Sequence, residues 1–269
     1  MINFKVPRTK NSIIIDIKNW VQNSSQILTV HRLSGRPLPT YIAKVLEVNE
    51  EKENLKGVVS KGDTVLLSRV ASEVAQFRAF EVEVGDKRYY DVPIMQVLGV
   101  FLNGVISFNS FNPILDKIVV KKLDTTKIGA LEFPDNQTMI GKVIKVGSCR
   151  FDQKWNKHEL NVKVGDTVLI KDNVTTEISL DGNTYYVTEE SMVVGVFNSE
   201  KYNLENIKFL NKSIIMESYI PPMALNSTLL TPSMNFEAED ITSIYNRDLF
   251  KIVALDQSLT NLKKDDIIL

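Results

Sequence analysis

Residues 141–170 read GKVIKVGSCRFDQKWNKHELNVKVGDTVLI. An apolar segment ends at Gly147 and is followed by a polar segment. A second apolar segment begins after Val164-Gly165-Asp166. Glycine and aspartate are favoured where a turn needs unusual backbone geometry. The stretch is therefore predicted to be two strands joined by scaffold turns, and not a binding site.

The same pattern occurs three times along the chain. Gly62 and Gly165 open corresponding strands 103 residues apart, and Asp265 takes the place of the glycine in the last copy. Elements that recur in one order at one period indicate tandem copies of a single unit. The first strands are NSIIIDIK, DKIVVKKL and KSIIMESY, at 11–18, 116–123 and 212–219, and the second strands are YIAKVLEV, IGKVIKVG and LFKIVALD, at 41–48, 140–147 and 249–256.

Two of the copies continue into a predicted hairpin. Apolar and polar residues alternate up to Gly85-Asp86 and up to Asp181-Gly182, and Asp-Gly supplies the positive φ angles of a type I′ turn. The third copy reaches Leu269 before any counterpart of residues 171–197. We expect an intermolecular or interdomain contact to complete this copy, with contributions from Ile214, Ile252, Val253, Ile267 and Ile268.

The fold class follows from the types of element. Short strands with β-branched residues and turn glycines predominate, and no stretch shows convincing 3.6-residue periodicity. The sequence predicts an all-β protein built of tandem small β-barrels, two complete and a third partial. The predicted domains are residues 1–102, 103–199 and 200–269.

Each copy carries a long connection between its first and second strands, at residues 19–43, 124–141 and 220–249. Structureless loops of this length are usually functional or disordered. Each loop contains a short apolar stretch that can fold back onto its own barrel or fill pockets on a partner. In the middle loop, a glycine and flanking polar residues favour partner binding. In chain order, the apolar residues of the three loops are Ile27 and Leu28, Leu131 and Phe133 on either side of Glu132, and Leu229 and Leu230.

Composition excludes several classes of function. Thirty-two Lys and Arg against thirty-three Asp and Glu leave a net charge of −1, so nucleic-acid binding is not expected. One cysteine and two histidines, His31 and His158, allow neither an intrachain disulfide nor a structural zinc site, and they indicate a reducing cytoplasm. No apolar run is long enough to span a membrane. Nucleotide-binding and hydrolase motifs are absent, so we expect neither a cofactor nor an enzyme.

Two features imitate functional sites. Cys149 has no histidine close in sequence to activate its thiol, so a packing role is expected. The pairs Tyr89-Tyr90 and Tyr185-Tyr186 resemble base-stacking platforms. Adjacent strand residues point to opposite faces, so each pair is expected to place one ring in the core and one on the surface.

The middle copy resembles one known family over its whole length. From NPILDKIVVKKLD through GALEFPDNQTMIGKVIKVGSCR and LNVKVGDTVLIKD to TTEISLDGNTYYVTEESMVVGVF, it is similar to the GroES co-chaperonins. The resemblance implies an irregular β-barrel whose loop after the first strand is mobile until it docks on a chaperonin through a short hydrophobic stretch. That stretch corresponds to Leu131, Glu132 and Phe133 after Gly129-Ala130, with Glu132 interrupting a tripeptide that the family usually keeps apolar.

The family also implies a sevenfold dome, in which first and last strands pair between neighbours, and a roof hairpin matching residues 177–187. The expected function is a co-chaperonin, an oligomer that binds a chaperonin ring through its loops and leaves the ATP chemistry to the ring. Tandem, diverged copies in a chain rich in Asn, Lys and Ile suggest a bacteriophage product that helps to fold a coat protein in the host cytoplasm. The alternative is a virion component, such as a capsid auxiliary or decoration protein, whose loops grip a viral structural protein.

Overall fold

The computed structural model of the chain describes residues 11–16, 31–33, 36–38, 42–49, 55–68, 81–84, 87–124, 127–128, 131–132, 138–152, 154–171, 175–199, 202–218 and 250–268. These residues form strands, turns and short 3-10 turns, with no α-helix among them, so the all-β prediction is confirmed. The 3-10 turns are Ile94–Gln96, Leu102–Gly104, Glu190–Met192 and Leu204–Asn206. The chain divides into two compact units, Met1–Lys127 with Leu131–Val193, and Ile128–Ala130 with Val194–Leu269.

The described residues of the first copy form eight strands. They are β1 (Ser12–Asp16), β2 (His31–Leu33), β3 (Arg36–Leu38), β4 (Ile42–Asn49), β5 (Thr64–Leu67), β6 (Glu81–Val84), β7 (Lys87–Pro93) and β8 (Val97–Phe101). Six of these strands join β9 (Phe111–Pro113) in an antiparallel sheet with the order β6–β7–β1–β4–β5–β8–β9. The strand that ends this sheet therefore comes from the middle copy, in the register Gly99↔Pro113 to Phe101↔Phe111.

The middle copy repeats this arrangement. Its further strands are β10 (Lys117–Lys122), β11 (Lys127–Ile128), β12 (Leu131–Glu132), β13 (Thr138–Val146), β14 (Arg150–Phe151), β15 (Lys157–His158), β16 (Thr167–Lys171), β17 (Thr176–Leu180), β18 (Asn183–Glu189) and β19 (Val193–Phe197). Within the first unit the strands β17–β18–β10–β13–β16 are neighbours in that order, as β6–β7–β1–β4–β5 are. The predicted hairpin turn is confirmed, because Asp181 and Gly182 have φ angles of 51° and 75° between β17 and β18.

The second unit holds the strands of the third copy. β20 (Ile207–Phe209) pairs with β19 just as β9 pairs with β8. β21 (Ile214–Ser218), β22 (Phe250–Leu255) and β23 (Ile267–Ile268) form a three-stranded sheet in that order. A β-bulge interrupts the pairing of β21 with β22, and equivalent bulges lie between β1 and β4 and between β10 and β13.

One turn is common to all three copies. The residue before the aspartate of this turn has a positive φ angle, which is 91° at Gly62, 93° at Gly165 and 72° at Asp265. Its N–H donates to a carbonyl of the second strand at 2.8 to 2.9 Å. The carboxylate of the next aspartate accepts a backbone N–H three residues earlier at 2.7 to 2.8 Å. The predicted repeat is therefore confirmed at this turn, which is a scaffold element.

Replacing Gly165 with valine is expected to lower the free energy of unfolding by about 1–3 kcal/mol, since a β-branched residue is strained at φ 93°. No atom lies within 4 Å of the position its Cβ would take, so the cost is backbone strain and not a clash. Gly165→Asp is the control, because aspartate holds this position in the third copy, and it should cost less. Urea denaturation measures both losses, and equal losses would contradict the strain argument.

The first two copies share their apolar core. One cluster packs Ile13 and Val65 of the first copy with Leu115 and Cys149 of the middle copy. A second cluster joins Ile42, Leu66, Leu98 and Phe101 to Phe111, Val119, Ile178, Leu180 and Val187. The domain boundaries stay a prediction. Each cluster contains residues from both sides of the predicted boundary at residues 102–103. The two copies thus bury apolar side chains against each other across this boundary.

Candidate functional site

The loop between β10 and β13 carries the predicted partner-binding stretch. Within it, β11 and β12 form a two-stranded sheet, so the backbone at Leu131 and Glu132 is extended and paired. Ile128 in β11 is only 1% exposed. The sequence predicted an extended segment in this loop, but not the neighbouring strand that pairs with it.

Most of the predicted partner-binding residues lie outside the described part of the chain. The structure describes the backbone of Leu131 and Glu132. The other predicted residues, which lie outside, are Gly129, Ala130, Phe133, Ile27, Leu28, Leu229 and Leu230. Their partner-binding role stays a prediction.

The first loop contains a similar short sheet. β2 and β3 pair shortly before β4, as β11 and β12 do before β13. β3 therefore corresponds in position to β12, whereas the sequence placed the candidate stretch of this loop at Ile27-Leu28. The signal that could have located β3 is Ser34-Gly35, a dipeptide typical of a two-residue hairpin turn, between Leu33 and Arg36.

Two buried charged side chains of the middle copy, Lys117 and Glu190, have hydrogen-bonding or ionic partners. Lys117, the first residue of β10, is 1% exposed, and its Nζ lies 2.7 Å from a carboxylate oxygen of Asp116 and 3.1 Å from one of Glu189. The buried carboxylate of Glu190 accepts the N–H of Val162 at 3.0 Å. Charges are tolerated in a protein interior only with such partners. These groups therefore tie the start of β10 to the end of β18, and the 3-10 turn at Glu190 to the segment at Val162.

Cys149 and His158, the candidate reactive side chains of residues 141–170, lie apart, one in the core and one in a surface turn. Cys149 is 3% exposed in the shared core, so its predicted packing role is confirmed. His158 Nε2 lies 3.2 Å from Asp152 Oδ2, and both side chains are on the surface. Hydrogen bonds from the side chain and backbone of Asn156, and then from His158, hold the pKa of the Asp152 carboxyl well below its usual range. This contact closes the turn between β14 and β15.

Metal-ligand clusters and membrane-spanning helices are both absent from the described residues. Among them, no group of three or more His, Cys, Asp or Glu side chains could hold a metal ion. None of the described segments is a helix with the length and apolar character needed to cross a bilayer.

The tyrosine pairs pack against the cores. Tyr89 is 5% exposed and Tyr90 is half-buried against the first cluster, so neither ring of this pair lies fully on the surface as one was expected to. Tyr185 packs against the second cluster and stacks on Phe108 with ring centroids 4.1 Å apart. Their geometry is that of packing residues and not of a base-stacking platform.

Comparison with known proteins finds one group of relatives. The family model of the chaperonin 10 kDa subunit matches residues 110–197. The co-chaperonin GroES of Rickettsia rickettsii is 38% identical over 95 residues, which cover 33% of this chain and 99% of the relative. The co-chaperonin GroES of Myxococcus xanthus is 36% identical over 90 residues, covering 31% and 93%. The co-chaperonin GroES 1 of Rhodopseudomonas palustris is 37% identical over 92 residues, covering 32% and 94%.

Proposed function

This chain belongs to the GroES co-chaperonin family, and we propose that it binds a chaperonin ring through the loop between β10 and β13 and so assists protein folding. The observation that carries the proposal is that the family match, residues 110–197, contains this whole loop. The loop follows the first strand of the copy, contains a glycine and then a short apolar stretch, and leads into the second strand. Its relatives are named co-chaperonins, and a role without catalysis fits that family.

The docking contact would use one face of an extended segment. Residues two apart in an extended segment share a face, so in the docked segment Leu131 and Phe133 would face the partner and Glu132 would face away from it. Apolar side chains on one face fill pockets in a hydrophobic groove, while main-chain hydrogen bonds add affinity. In that arrangement the Glu132 carboxylate would remain in water, and the docked segment would tolerate it.

In the family, the first and last strands of neighbouring subunits are expected to pair. This chain contains the same kind of strand pairing between its own copies. The last strand of the first copy, β8, pairs with the first strand of the middle copy, β9, and β19 pairs with β20 in the same way. We infer that one chain occupies consecutive positions in an oligomeric assembly. Several loops on one chain raise the effective concentration of each loop at the ring.

The bacteriophage origin and the virion role stay predictions. Both roles use exposed loops, so the geometry of the middle loop does not separate them. Recovery of the chain from purified particles, and not only from the lysate of the producing cells, would favour the virion role.

The test of the proposed function is binding of the full chain to a purified bacterial chaperonin ring in the presence of ATP. We expect the chain to co-elute with the ring and to raise the yield of an enzyme refolded by it. A single-copy GroES is the matched control, and it should compete with the chain for the ring. A chain that neither co-elutes with the ring nor raises the refolding yield would contradict the proposal.

A further inference from the structure

Residues 102–110 connect β8 of the first copy to β9 of the middle copy, and we call them the first linker. An exposed connection between two copies is usually a hinge. Leu102 and Val105 are 50% and 56% exposed, and Asn103 and Gly104 have φ angles of 55° and 69°. The contacts of the first linker with the middle copy therefore decide whether the two copies bend at this point.

The backbone of the first linker closes on itself. The N–H of Leu102 donates to the carbonyl oxygen of Ser110 at 2.9 Å, which joins the two ends of the linker. Residues 198–206, which we call the second linker, connect β19 to β20 and close in the same way, because the N–H of Asn198 donates to the carbonyl oxygen of Asn206 at 2.7 Å. Loop closure by the backbone is thus common to both linkers.

The first linker is also held by side chains of the middle copy, which contact the ring of Phe108. This ring stacks on Tyr185 of β18, with ring centroids 4.1 Å apart and ring planes 12° apart. The Nζ of Lys145 in β13 lies over the same ring, 4.6 Å from its centroid. Ring stacking and a cation over a ring face are both attractive. Two strands of the middle copy therefore hold one ring of the linker.

Lys145 also binds the backbone of the first linker. Its Nζ donates to the carbonyl oxygens of Phe108 and Phe111, each at 2.7 Å, and to that of Asn109 at 3.3 Å. These acceptors are main-chain atoms, so the contact requires one particular conformation of the linker. Partial burial lowers the pKa of the Lys145 ammonium below its usual value, since the charge is partly withdrawn from water.

The hairpin of β17 and β18 adds a third contact. Asp181 lies in its turn, and Asp181 Oδ2 accepts the N–H of Phe108 at 2.8 Å. Ile178 of β17 is buried in one cluster with Phe101 and Phe111, the residues on either side of the linker. The first linker is therefore attached to the middle copy at both ends and at its centre.

The equivalent positions of the third copy do not carry the residues that make these contacts. The strands β19 and β20 have the register of β8 and β9, which places Leu204 at the position of Phe108. The pairing of β21 with β22 has the register of β10 with β13, which places Ala254 at the position of Lys145. Because the second linker closes without an aromatic ring or a lysine, these two side chains are not needed for loop closure.

We propose that the first linker is a rigid coupler that fixes the orientation of the first copy relative to the middle copy, with Lys145 as the positioning residue. The two copies are then oriented before the chain meets any partner. A partner that contacts both copies binds with a smaller loss of conformational freedom when their orientation is already fixed. The proposal does not rest on the co-chaperonin role.

The test is a distance measured by electron paramagnetic resonance between two spin labels on the full chain. Lys44→Cys in β4 and Lys142→Cys in β13 place the labels at equivalent exposed positions of the two copies, in a Cys149→Ala background that removes the native thiol. We expect one narrow distance distribution. Lys145→Ala with Phe108→Leu installs the residue types of the third copy and should broaden the distribution about twofold or more.

Hydrogen exchange of the unlabelled chain gives a second measurement. The same double variant should speed exchange at residues 102–111 about tenfold or more, and it should leave the second linker unchanged as an internal reference. Lys171→Ala, the matched control, removes an exposed lysine from β16 of the same copy and should alter neither the distance distribution nor the exchange.

Two results overturn the proposal. One is a broad distance distribution before Lys145 and Phe108 are changed. The other is a distribution that stays narrow in the double variant, even if the melting temperature falls, because Lys145 would then stabilise the fold without setting the orientation. If the double variant does not fold, Lys145→Met, which keeps the aliphatic stem and removes the charge, is judged by the same distribution.

Discussion

Replacing Phe111 with alanine is expected to lower the free energy of unfolding by about 3–5 kcal/mol. The side chain is 0% exposed, and its ring centroid lies 5.1 Å from that of Phe101. Phe111 belongs to β9 of the middle copy but pairs with β8 of the first copy. Its removal therefore leaves a cavity where the two copies share their core. Guanidinium denaturation measures the loss, and a loss below about 1 kcal/mol would contradict the shared core.

A double-mutant cycle with Gly99→Ala assigns the effect to the pairing of β8 with β9. A Cβ at Gly99 would lie 2.5 Å from the Phe111 ring and 2.5 Å from the carbonyl oxygen of Asn112. Gly99→Ala alone should be destabilising because both contacts are too close. With Phe111→Ala the ring is gone, so the combined loss should be smaller than the sum of the two single losses. Strict additivity would show that the two positions do not share this contact.

Replacing Leu131 and Phe133 together with serine is expected to weaken binding to a chaperonin ring by about a hundredfold or more, since two apolar anchors at the centre of a contact carry much of its free energy. The melting temperature should change little if these side chains serve the partner and not the barrel, because exposed substitutions usually alter stability by about 0.5 kcal/mol or less. Titration calorimetry with the ring and thermal unfolding measure the two quantities.

Three matched variants define which loop acts. Glu132→Ser changes the same stretch on the opposite face and should leave ring binding nearly unchanged. The paired changes Ile27→Ser with Leu28→Ser, and Leu229→Ser with Leu230→Ser, remove the apolar residues of the other loops and should cost less than the middle-loop pair. A fall of many degrees in melting temperature with ring binding intact would place Leu131 and Phe133 in the barrel core.

Local backbone chemistry made much of the fold predictable. The positive φ at Gly62, Gly165 and Asp265 and the Asp181-Gly182 hairpin turn depend on the residues of the turn itself, and all of them agree with the pattern in the sequence. The alternation of apolar residues likewise predicted short strands. For the candidate site, the sequence indicated the loop and its extended stretch, because a glycine followed by alternating apolar residues is also a local signal.

The partners of those strands were decided only by tertiary structure. Alternation shows that one face of a strand is apolar, but not which strand covers it, since the covering residues are distant along the chain. This is why the sequence divided the first two copies near residues 102–103, whereas Phe101 and Phe111 pack across that boundary. Whether two such faces fit together depends on the sizes of side chains that only the folded chain brings into contact.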